Sequence, residues 1–367
     1  MPWLDGLRGI ATLMIFIHHF LPNVPKGVLG SPLAYLHKAT VLFFTGVDLF
    51  FVISGFLIGG IIIDNRFSPN LKSTFYMRRL TRIFPLAYLF ITLACILISC
   101  HLLTEKWVPI QNIYYAYIAS YAFVANLMLA FQSDWGLGAL DQLWSLGIEE
   151  QFYLIAPFLI ILFVKPETAA LSLIILGVCS RIIILLFNHE LAFAVHFLPF
   201  CRCDTMGCGI LAASIVRNPV WFSSLTKNRS FWWIALSFGL TGFVLLTRIN
   251  ARPGTESLAF WGYTVIALTY MLILLLIGTS NSIITKFIFC NKFIIEFGRK
   301  SYFIYLFQGF IGLALSFLIH FIYPSISAHW CEWLLFLIMP FVLVFAAKVS
   351  WQLFENPFLK IGHKFKY

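Results

Sequence analysis

The segment TVLFFTGVDLFFVISGFLIGGIII, residues 40–63, is apolar along almost its whole length and contains a single ionisable side chain, Asp48. Apolar runs of about 18 residues or more are typical of helices that cross a lipid bilayer. A carboxylate at membrane depth needs a polar partner. The segment also contains small residues that let a second helix approach closely, namely Ser54, Gly55, Gly59 and Gly60. We therefore predict a membrane helix that packs on a neighbour and carries a partnered charge.

Comparable apolar runs recur along the whole chain of 367 residues. Hydrophobic residues make up 60% of the sequence and charged residues 11%, whereas a soluble domain has about 25% charged residues. We predict an all-α, polytopic membrane bundle in one domain over residues 1–367. About ten spans are expected, at 8–24, 40–63, 83–103, 149–165, 168–188, 204–217, 230–249, 257–279, 300–322 and 331–352. A tyrosine-rich stretch, 113–131, fits a further span, a re-entrant helix or an interfacial helix.

The distribution of lysine and arginine predicts the orientation of these helices. With ten spans and the N-terminus in the cytoplasm, most of the 25 lysines and arginines fall in cytoplasmic loops, as the positive-inside rule requires. We therefore expect both termini in the cytoplasm and residues 104–148 outside. Because the basic residues are spread among several loops, the net charge of +10 does not indicate nucleic-acid binding. The first run lacks the basic region and cleavage site of a signal peptide, so it is interpreted as a retained helix.

The first apolar run, within DGLRGIATLMIFIHHF (residues 5–20), begins near an arginine and ends in two histidines. On an α-helix Arg8 and His19 lie within about 20° of each other and about 16 Å apart along the axis, whereas His18 points about 80° away. Asp5 is placed to brace Arg8. Polar groups at membrane depth usually face an internal site, and histidine transfers protons near neutral pH. Alternatively, Arg8 anchors the inner face and His19 forms a hydrogen bond between helices.

Two further segments combine charge with an apolar surrounding. In MRRLTRIFP, residues 77–85, Arg79 and Arg82 share a helix face, which suits either bidentate phosphate binding or contact with lipid headgroups. In LWSLGIEEQFYLIAP, residues 143–157, Glu149 and Glu150 are expected to open a membrane helix at its outer end. There they would either complement the helix dipole, orient a histidine or bind a sugar hydroxyl.

A cysteine cluster lies further along the chain, at Cys201, Cys203 and Cys208. Its spacing matches no standard zinc motif, so buried or interfacial thiols are the favoured interpretation. A disulfide stays open as an alternative, and we expect no metal site.

Taken together, these segments resemble the acyltransferase 3 family of bacterial integral membrane O-acyltransferases. The resemblance covers nearly the whole chain. The segments that carry it, in order, are LDGLRGIA with His19, GVDLFFVISGFLI, RRLTRIFPLAY, LWSLGIEEQFYLIAP, CRCDTMGCGILAA with Arg202, Asp204 and Gly209, FGRKSYFIYLFQGF, and FENPF. Two positions depart from the family pattern: Gln308 stands where many members have histidine, and Gly147 where serine or alanine is more common. Some relatives carry an additional C-terminal esterase-like domain, which this sequence is expected to lack.

The resemblance implies transfer of an acyl group, usually acetyl from acetyl-CoA, to a hydroxyl of an extracytoplasmic or lipid-linked glycan of the O-antigen, lipopolysaccharide or exopolysaccharide type. The location would be the bacterial inner membrane. Arg8, Arg79 and Arg82 would bind the donor. His19 would be the general base or an acyl carrier, with Glu149 as its partner or as a contact to the acceptor. Residues expected to support the site or line its path are Asp5, Asp48, Ser54, Trp144, Glu150, Arg202 and Asp204.

The expected partners are therefore membrane lipids, acetyl-CoA as a substrate and a glycan acceptor, with no tightly bound cofactor. The main alternative is a proton-coupled transporter, since Asp48, His19 and Glu149 would also suit proton movement through a membrane. A transporter commonly contains inverted repeats, and the two halves of the sequence show no clear repeat. A third alternative, a membrane sensor or scaffold, does not explain the alignment of Arg8 with His19.

Overall fold

A computed structural model describes residues 1–23, 32–100, 113–280 and 282–367, and these residues form helices and connecting turns without a β-strand. The α-helices, in chain order, are α1 (Pro2–Phe20), α2 (Pro32–Thr40), α3 (Gly46–Asp64), α4 (Leu71–Ser99), α5 (Ile113–Tyr121), α6 (Ala125–Gln132), α7 (Leu143–Leu162), α8 (Pro166–Phe187), α9 (Pro199–Arg217), α10 (Pro219–Lys227), α11 (Arg229–Arg248), α12 (Tyr263–Gly278), α13 (Ile283–Phe289), α14 (Lys292–Arg299), α15 (Ser301–Ile322), α16 (Ala328–Ser350) and α17 (Asn356–Gly362). The predicted all-α class is confirmed.

Within the described part of the chain, eight helical segments are long and apolar enough to cross a membrane. They are Pro32–Asp64, Leu71–Ser99, Gly138–Leu162, Pro166–Phe187, Arg229–Arg248, Leu258–Gly278, Ser301–Ile322 and Ala328–Gly362. The chain is thus a polytopic helical membrane protein. The other two predicted spans, 8–24 and 204–217, fall on α1 and α9, which are helices of 19 residues each. Both contain charged residues near the middle or start of the helix, which lowers their mean hydropathy.

The tyrosine-rich stretch 113–131 forms two short helices, α5 and α6, of nine and eight residues. Between them the backbone of Phe123 adopts a positive φ of 56°, which ends the first helix. A helix of this length covers about 13 Å, less than half of the roughly 30 Å hydrocarbon core. The stretch is therefore not one transmembrane helix. The part of the predicted outer loop at 104–112 lies outside the described residues, and the orientation of the helices stays a prediction.

The chain divides into two compact units. Unit 1 comprises Met1–Val47, Thr247–Asn250 and Asn281–Pro357, and unit 2 comprises Asp48–Leu246, Ala251–Ser280 and Phe358–Tyr367. The prediction of a single functional domain over 1–367 stays a prediction. Each unit contains part of the predicted site, so each is described separately.

In unit 1, α1 packs directly on the backbones of α13 and α14. A Cβ atom at Gly6 would lie 1.8 Å from the carbonyl oxygen of Phe289, and one at Gly9 would lie 2.1 Å from that of Ile294. Both distances are far shorter than any van der Waals contact. The two glycines of the DGLRG segment therefore let α1 lie close to the short helices that precede α15.

In unit 2, α3 and α9 approach each other through glycines. A Cβ atom at Gly55 would lie 2.2 Å from the carbonyl oxygen of Met206, and one at Gly209 would lie 2.2 Å from that of Val52. This confirms the prediction that the small residues of α3 permit close approach of a second helix. The close approach also brings the charged side chains of the two helices together, as described next.

Candidate functional site

The first helix carries two of the predicted site residues in unit 1. Since α1 is one continuous helix from Pro2 to Phe20, Arg8 and His19 share a face as the helical repeat predicts. Arg8 is half-buried, and its Nη2 donates a hydrogen bond to Ser301 Oγ at 3.0 Å. His18 and His19 are exposed in the last turn, with ring centres 5.3 Å apart. The His19 imidazole thus lies on the surface of α1 rather than in the packed core of unit 1.

The surroundings of Arg8 contain further charges that the sequence pattern did not reveal. Asp5 Oδ2 lies 3.2 Å from Arg299 Nε, a pairing between residues almost 300 positions apart. Lys300 is buried, with its Nζ 3.7 Å from the centre of the Trp351 ring. Burial lowers the pKa of the Lys300 ammonium. The start of α15 therefore carries a cluster of basic side chains beside α1.

In unit 2, α3, α4 and α7 bring three predicted site residues into contact with a tyrosine that was not predicted. Ser54 Oγ donates a hydrogen bond to Glu149 Oε1 at 2.7 Å. The Tyr153 hydroxyl donates to Ser54 Oγ at 3.1 Å. The guanidinium carbon of Arg79 lies 5.4 Å from the centre of the Tyr153 ring, within cation–π range. We call Arg79, Tyr153, Ser54 and Glu149 the α4–α7 cluster.

Glu150 lies beside this cluster. Its Oε1 atom is buried and has no hydrogen-bond partner among the described residues. Buried polar atoms in folded proteins almost always have a hydrogen-bond partner, so this atom makes Glu150 a candidate site residue.

The position of the two glutamates corrects the sequence-based expectation. They were expected at the outer end of a membrane helix, but α7 begins at Leu143, and its first turn contains no acidic residue. Glu149 and Glu150 therefore lie almost two turns inside the helix, where they cannot serve as N-terminal caps. Since Arg79 contacts Tyr153, one turn from Glu149, this arginine and this carboxylate lie close to each other.

Gly147, one of the departures from the family pattern, has a local structural reason. A Cβ atom at this position would lie 2.6 Å from Asn126 Oδ1 and 2.9 Å from the carbonyl oxygen of Phe123. Asn126 Nδ2 donates to the carbonyl oxygen of Phe197, and its Oδ1 accepts from Gln151 Nε2 at 2.9 Å. The amide network leaves no space for a larger residue in this turn of α7.

The three arginines of α4 are in different surroundings. Arg78 donates from Nε and Nη2 to the carbonyl oxygen of Phe365 and stacks on the ring of Tyr367. It therefore holds the last residues of the chain against α4. Arg79 is half-buried in the α4–α7 cluster, and Arg82 is exposed. Arg79 connects to the Glu149 carboxylate through Tyr153 and Ser54.

Two buried ion pairs occupy the interior of unit 2. Asp48 pairs with Arg202, which supplies the partner that a carboxylate in an apolar run requires. Asp204 pairs with Arg181 at 2.8 Å and also accepts from Thr264 Oγ1 at 3.0 Å. All four charged side chains are at most 1% exposed. Arg181 was not among the predicted site residues, although an arginine within an apolar run is itself a signal of a buried partner.

A histidine–tyrosine pair lies against the first of these ion pairs. His196 Nδ1 is 2.7 Å from the Tyr263 hydroxyl, and the Tyr263 ring stacks on the guanidinium of Arg202 at 3.6 Å. Trp144 is buried, with its ring 4.3 Å from that of His196. Trp144, which was expected to support the site or line its path, thus packs inside unit 2, and its role stays a prediction. No local sequence pattern indicated His196 or Tyr263.

The cysteine cluster on α9 consists of three buried free thiols, Cys201, Cys203 and Cys208. The disulfide alternative is not realised. Among residues 1–23, 32–100, 113–280 and 282–367, no three potential ligands from His, Cys, Asp and Glu are grouped around a metal position.

The helical fold, with charged side chains enclosed among apolar helices, defines a polytopic membrane protein with an internal polar site. A family model described as an acyltransferase domain, the acyltransferase 3 family, matches residues 1–351. The chain belongs to this family.

Individual relatives carry a more specific name. The chain is 27% identical over 381 residues to the O-acetyltransferase OatA of Staphylococcus aureus strains NCTC 8325 and COL, which covers 99% of this chain and 58% of each relative. A Staphylococcus aureus MSSA476 protein provisionally named an O-acetyltransferase is also 27% identical, over 385 residues with the same coverage. The chain thus spans about three fifths of the length of these relatives. No solved structure matches it significantly.

Proposed function

We propose that this chain is a membrane-bound O-acetyltransferase that moves an acetyl group from acetyl-CoA to a hydroxyl of an extracytoplasmic or lipid-linked glycan. The observation that carries this proposal is the α4–α7 cluster, in which a half-buried arginine and a hydrogen-bonded carboxylate share one site within a membrane bundle. Membership in the acyltransferase family and the printed names of the relatives support the reaction class.

The donor would be held by arginine side chains. A guanidinium binds phosphate through two parallel hydrogen bonds, and acetyl-CoA carries several phosphate oxygens. Arg79 would provide such a contact beside Tyr153, and the exposed Arg82 lies one turn further along α4. In unit 1, Arg8 would act in the same way next to Ser301.

The acceptor hydroxyl needs a base. We assign this role to His19, whose imidazole has a ring nitrogen that can accept the proton of a bound hydroxyl. The acceptor oxygen forms a bond to the thioester carbonyl carbon, its proton passes to the imidazole, and the carbon–sulfur bond breaks. The departing thiolate takes up that proton to give free CoA. Alternatively, the imidazole first accepts the acetyl group itself and then passes it to the acceptor.

Glu149 would contact the acceptor. An ionised carboxylate has about four lone-pair sites, so Glu149, which accepts from Ser54, can also accept from a sugar hydroxyl. The buried Oε1 of the neighbouring Glu150 would accept a second. We place the protein in the bacterial inner membrane with both termini in the cytoplasm, so that the donor arrives from the cytoplasm and the glycan from the other face.

A turnover assay tests the proposal. The purified full chain in lipid nanodiscs is mixed with acetyl-CoA and a panel of bacterial glycans, and both free CoA and acetylated glycan are quantified. The proposal predicts equal amounts of the two products with at least one glycan. A protein that releases no CoA with any glycan, but carries solutes across sealed liposomes with a proton gradient, would be a transporter.

A further inference from the structure

Tyr153 is the residue that links the arginine of the α4–α7 cluster to its carboxylate. Its ring lies under the Arg79 guanidinium, and its hydroxyl donates to Ser54 Oγ. Ser54 in turn donates to Glu149 Oε1. The contacts therefore run without a break from α4 through α7 and α3 and back to α7. Tyr153 is 5% exposed, so its hydroxyl has little access to water as a replacement partner.

The direction of the two hydrogen bonds is set by chemistry. An ionised carboxylate can only accept, so the single proton of the Ser54 hydroxyl points at Glu149. The oxygen of Ser54 must then accept from its other neighbour, and the Tyr153 hydroxyl supplies that proton. Each bond fixes the orientation of the next group, and hydrogen bonds arranged in series also polarise one another.

Arg79, at one end of this series of contacts, determines how the arrangement responds to a ligand. The guanidinium carbon is 5.4 Å from the Tyr153 ring centre and 5.8 Å from that of Phe75, so the arginine rests against two aromatic rings. An anionic ligand that draws Arg79 toward itself changes the contact on the Tyr153 ring. The same ring carries the hydroxyl that orients Ser54.

We propose that Tyr153 and Ser54 are positioning residues that hold Glu149 toward the acceptor, and that Tyr153 couples donor binding at Arg79 to this carboxylate. The proposal rests on the proposed function, because it assigns Glu149 to the acceptor and Arg79 to the donor. Neither positioning residue needs to touch a substrate.

The test measures kcat and KM for acetyl-CoA in four variants of the full chain. Tyr153→Phe keeps the ring for Arg79 and removes only the hydroxyl, so KM should stay within about twofold while kcat falls about fivefold. Ser54→Ala should lower kcat about tenfold, since it removes a hydrogen bond to a charged group. Because the bonds are in series, the double variant should be no slower than Ser54→Ala alone. Ser54→Thr, which retains a hydroxyl, should recover most of the loss.

Tyr76→Phe is the matched control. The Tyr76 hydroxyl on α4 donates to the carbonyl oxygen of Leu154 on α7 at 2.7 Å, so its removal loosens the same pair of helices without touching Glu149. Its kcat should stay within about twofold of the wild-type value.

Three results would overturn the inference: an unchanged kcat in Tyr153→Phe, losses that multiply in the double variant, or an equal loss in Tyr76→Phe. If the wild-type chain itself gives no acetyl transfer, the proposed function fails and the inference fails with it. An active wild-type enzyme with a fully active Tyr153→Phe variant refutes the inference alone.

Discussion

Unit 2 contains two regions in which arginines lie close to carboxylates. The two regions differ in burial and in how the charges are connected, and this difference distinguishes a structural region from a functional one. In the first region, the ion pairs Asp48–Arg202 and Arg181–Asp204 are direct and almost fully buried. In the second, the α4–α7 cluster, Arg79 and Glu149 are half-buried and connected through a ring and two hydroxyls. We call the buried ion pairs closed pairs, because their side chains have no surface that a ligand could contact. In the half-buried cluster, a substrate can replace one of the internal contacts. We therefore expect the first region to govern stability and the second to govern activity.

The largest expected effect comes from breaking a closed pair. Asp204→Leu leaves the Arg181 guanidinium buried without its carboxylate, and losing one partner of a buried pair typically costs about 3–5 kcal/mol of stability. The unfolding midpoint in detergent should fall accordingly. Adding Arg181→Met to the same chain removes the stranded charge and should recover much of the loss. A single variant as stable as the wild type would contradict the structural role of this region.

Changing the carboxylate of the accessible cluster should leave stability unchanged and reduce turnover. Glu149→Gln retains the size of the side chain but removes its charge, and hydrogen bonds to charged groups are worth about 1.5–3 kcal/mol. Transfer to the glycan should therefore fall about tenfold to a hundredfold. The unfolding midpoint should match the wild-type value. Loss of stability in this variant would place Glu149 with the closed pairs.

A smaller effect is expected at the donor end. Arg79→Ala should weaken acetyl-CoA binding about tenfold, since it removes a charge-assisted contact, and Arg79→Lys should recover only part because the bidentate fork is absent. Arg78→Ala is the matched control, since Arg78 contacts Phe365 and Tyr367 of the chain itself. Equal dissociation constants for acetyl-CoA in Arg79→Ala and Arg78→Ala would favour the alternative that Arg79 contacts lipid headgroups.

The smallest effect belongs to the exposed pair in unit 1. Arg299 is 54% exposed, and its partner Asp5 25%, so water and salt screen their attraction. Such pairs contribute about 0–1 kcal/mol. Arg299→Ala should therefore shift the unfolding midpoint very little, and a shift as large as that of Asp204→Leu would show that exposure does not separate the two kinds of pair.

The sequence predicts this fold better than it predicts the contacts within it. Long apolar runs such as 168–188 correspond closely to a helix, Pro166–Phe187, because hydrophobicity and helix length are local properties. The start of α7 was misplaced because Glu149 and Glu150 interrupt the apolar run, although Leu143 and Trp144 before them are buried and helical. A prediction from composition therefore placed the start of the helix at the two glutamates, although the helix begins before them.

The contacts that the sequence did not predict join residues that lie far apart in the chain. The sequence indicated that Asp48 needs a partner, but Arg202 lies 154 positions away. Ser54 and Glu149 are 95 positions apart, and no helical or strand periodicity relates them. Tyr153 lay within a quoted motif yet carried no charge to draw attention. Such contacts depend on how the helices pack, which glycines such as Gly55 and Gly209 permit without specifying the partner.

Sealed membrane vesicles show whether the acetyl group crosses the membrane during transfer. Acetyl-CoA is supplied only on the cytoplasmic face, and acetylated glycan is quantified on each face. We expect product on the opposite face and no product with His19→Ala. His18→Ala should give nearly normal product, because the His18 imidazole points about 80° away from the face that Arg8 and His19 share. Product confined to the cytoplasmic face, or full activity in His19→Ala, would contradict this account.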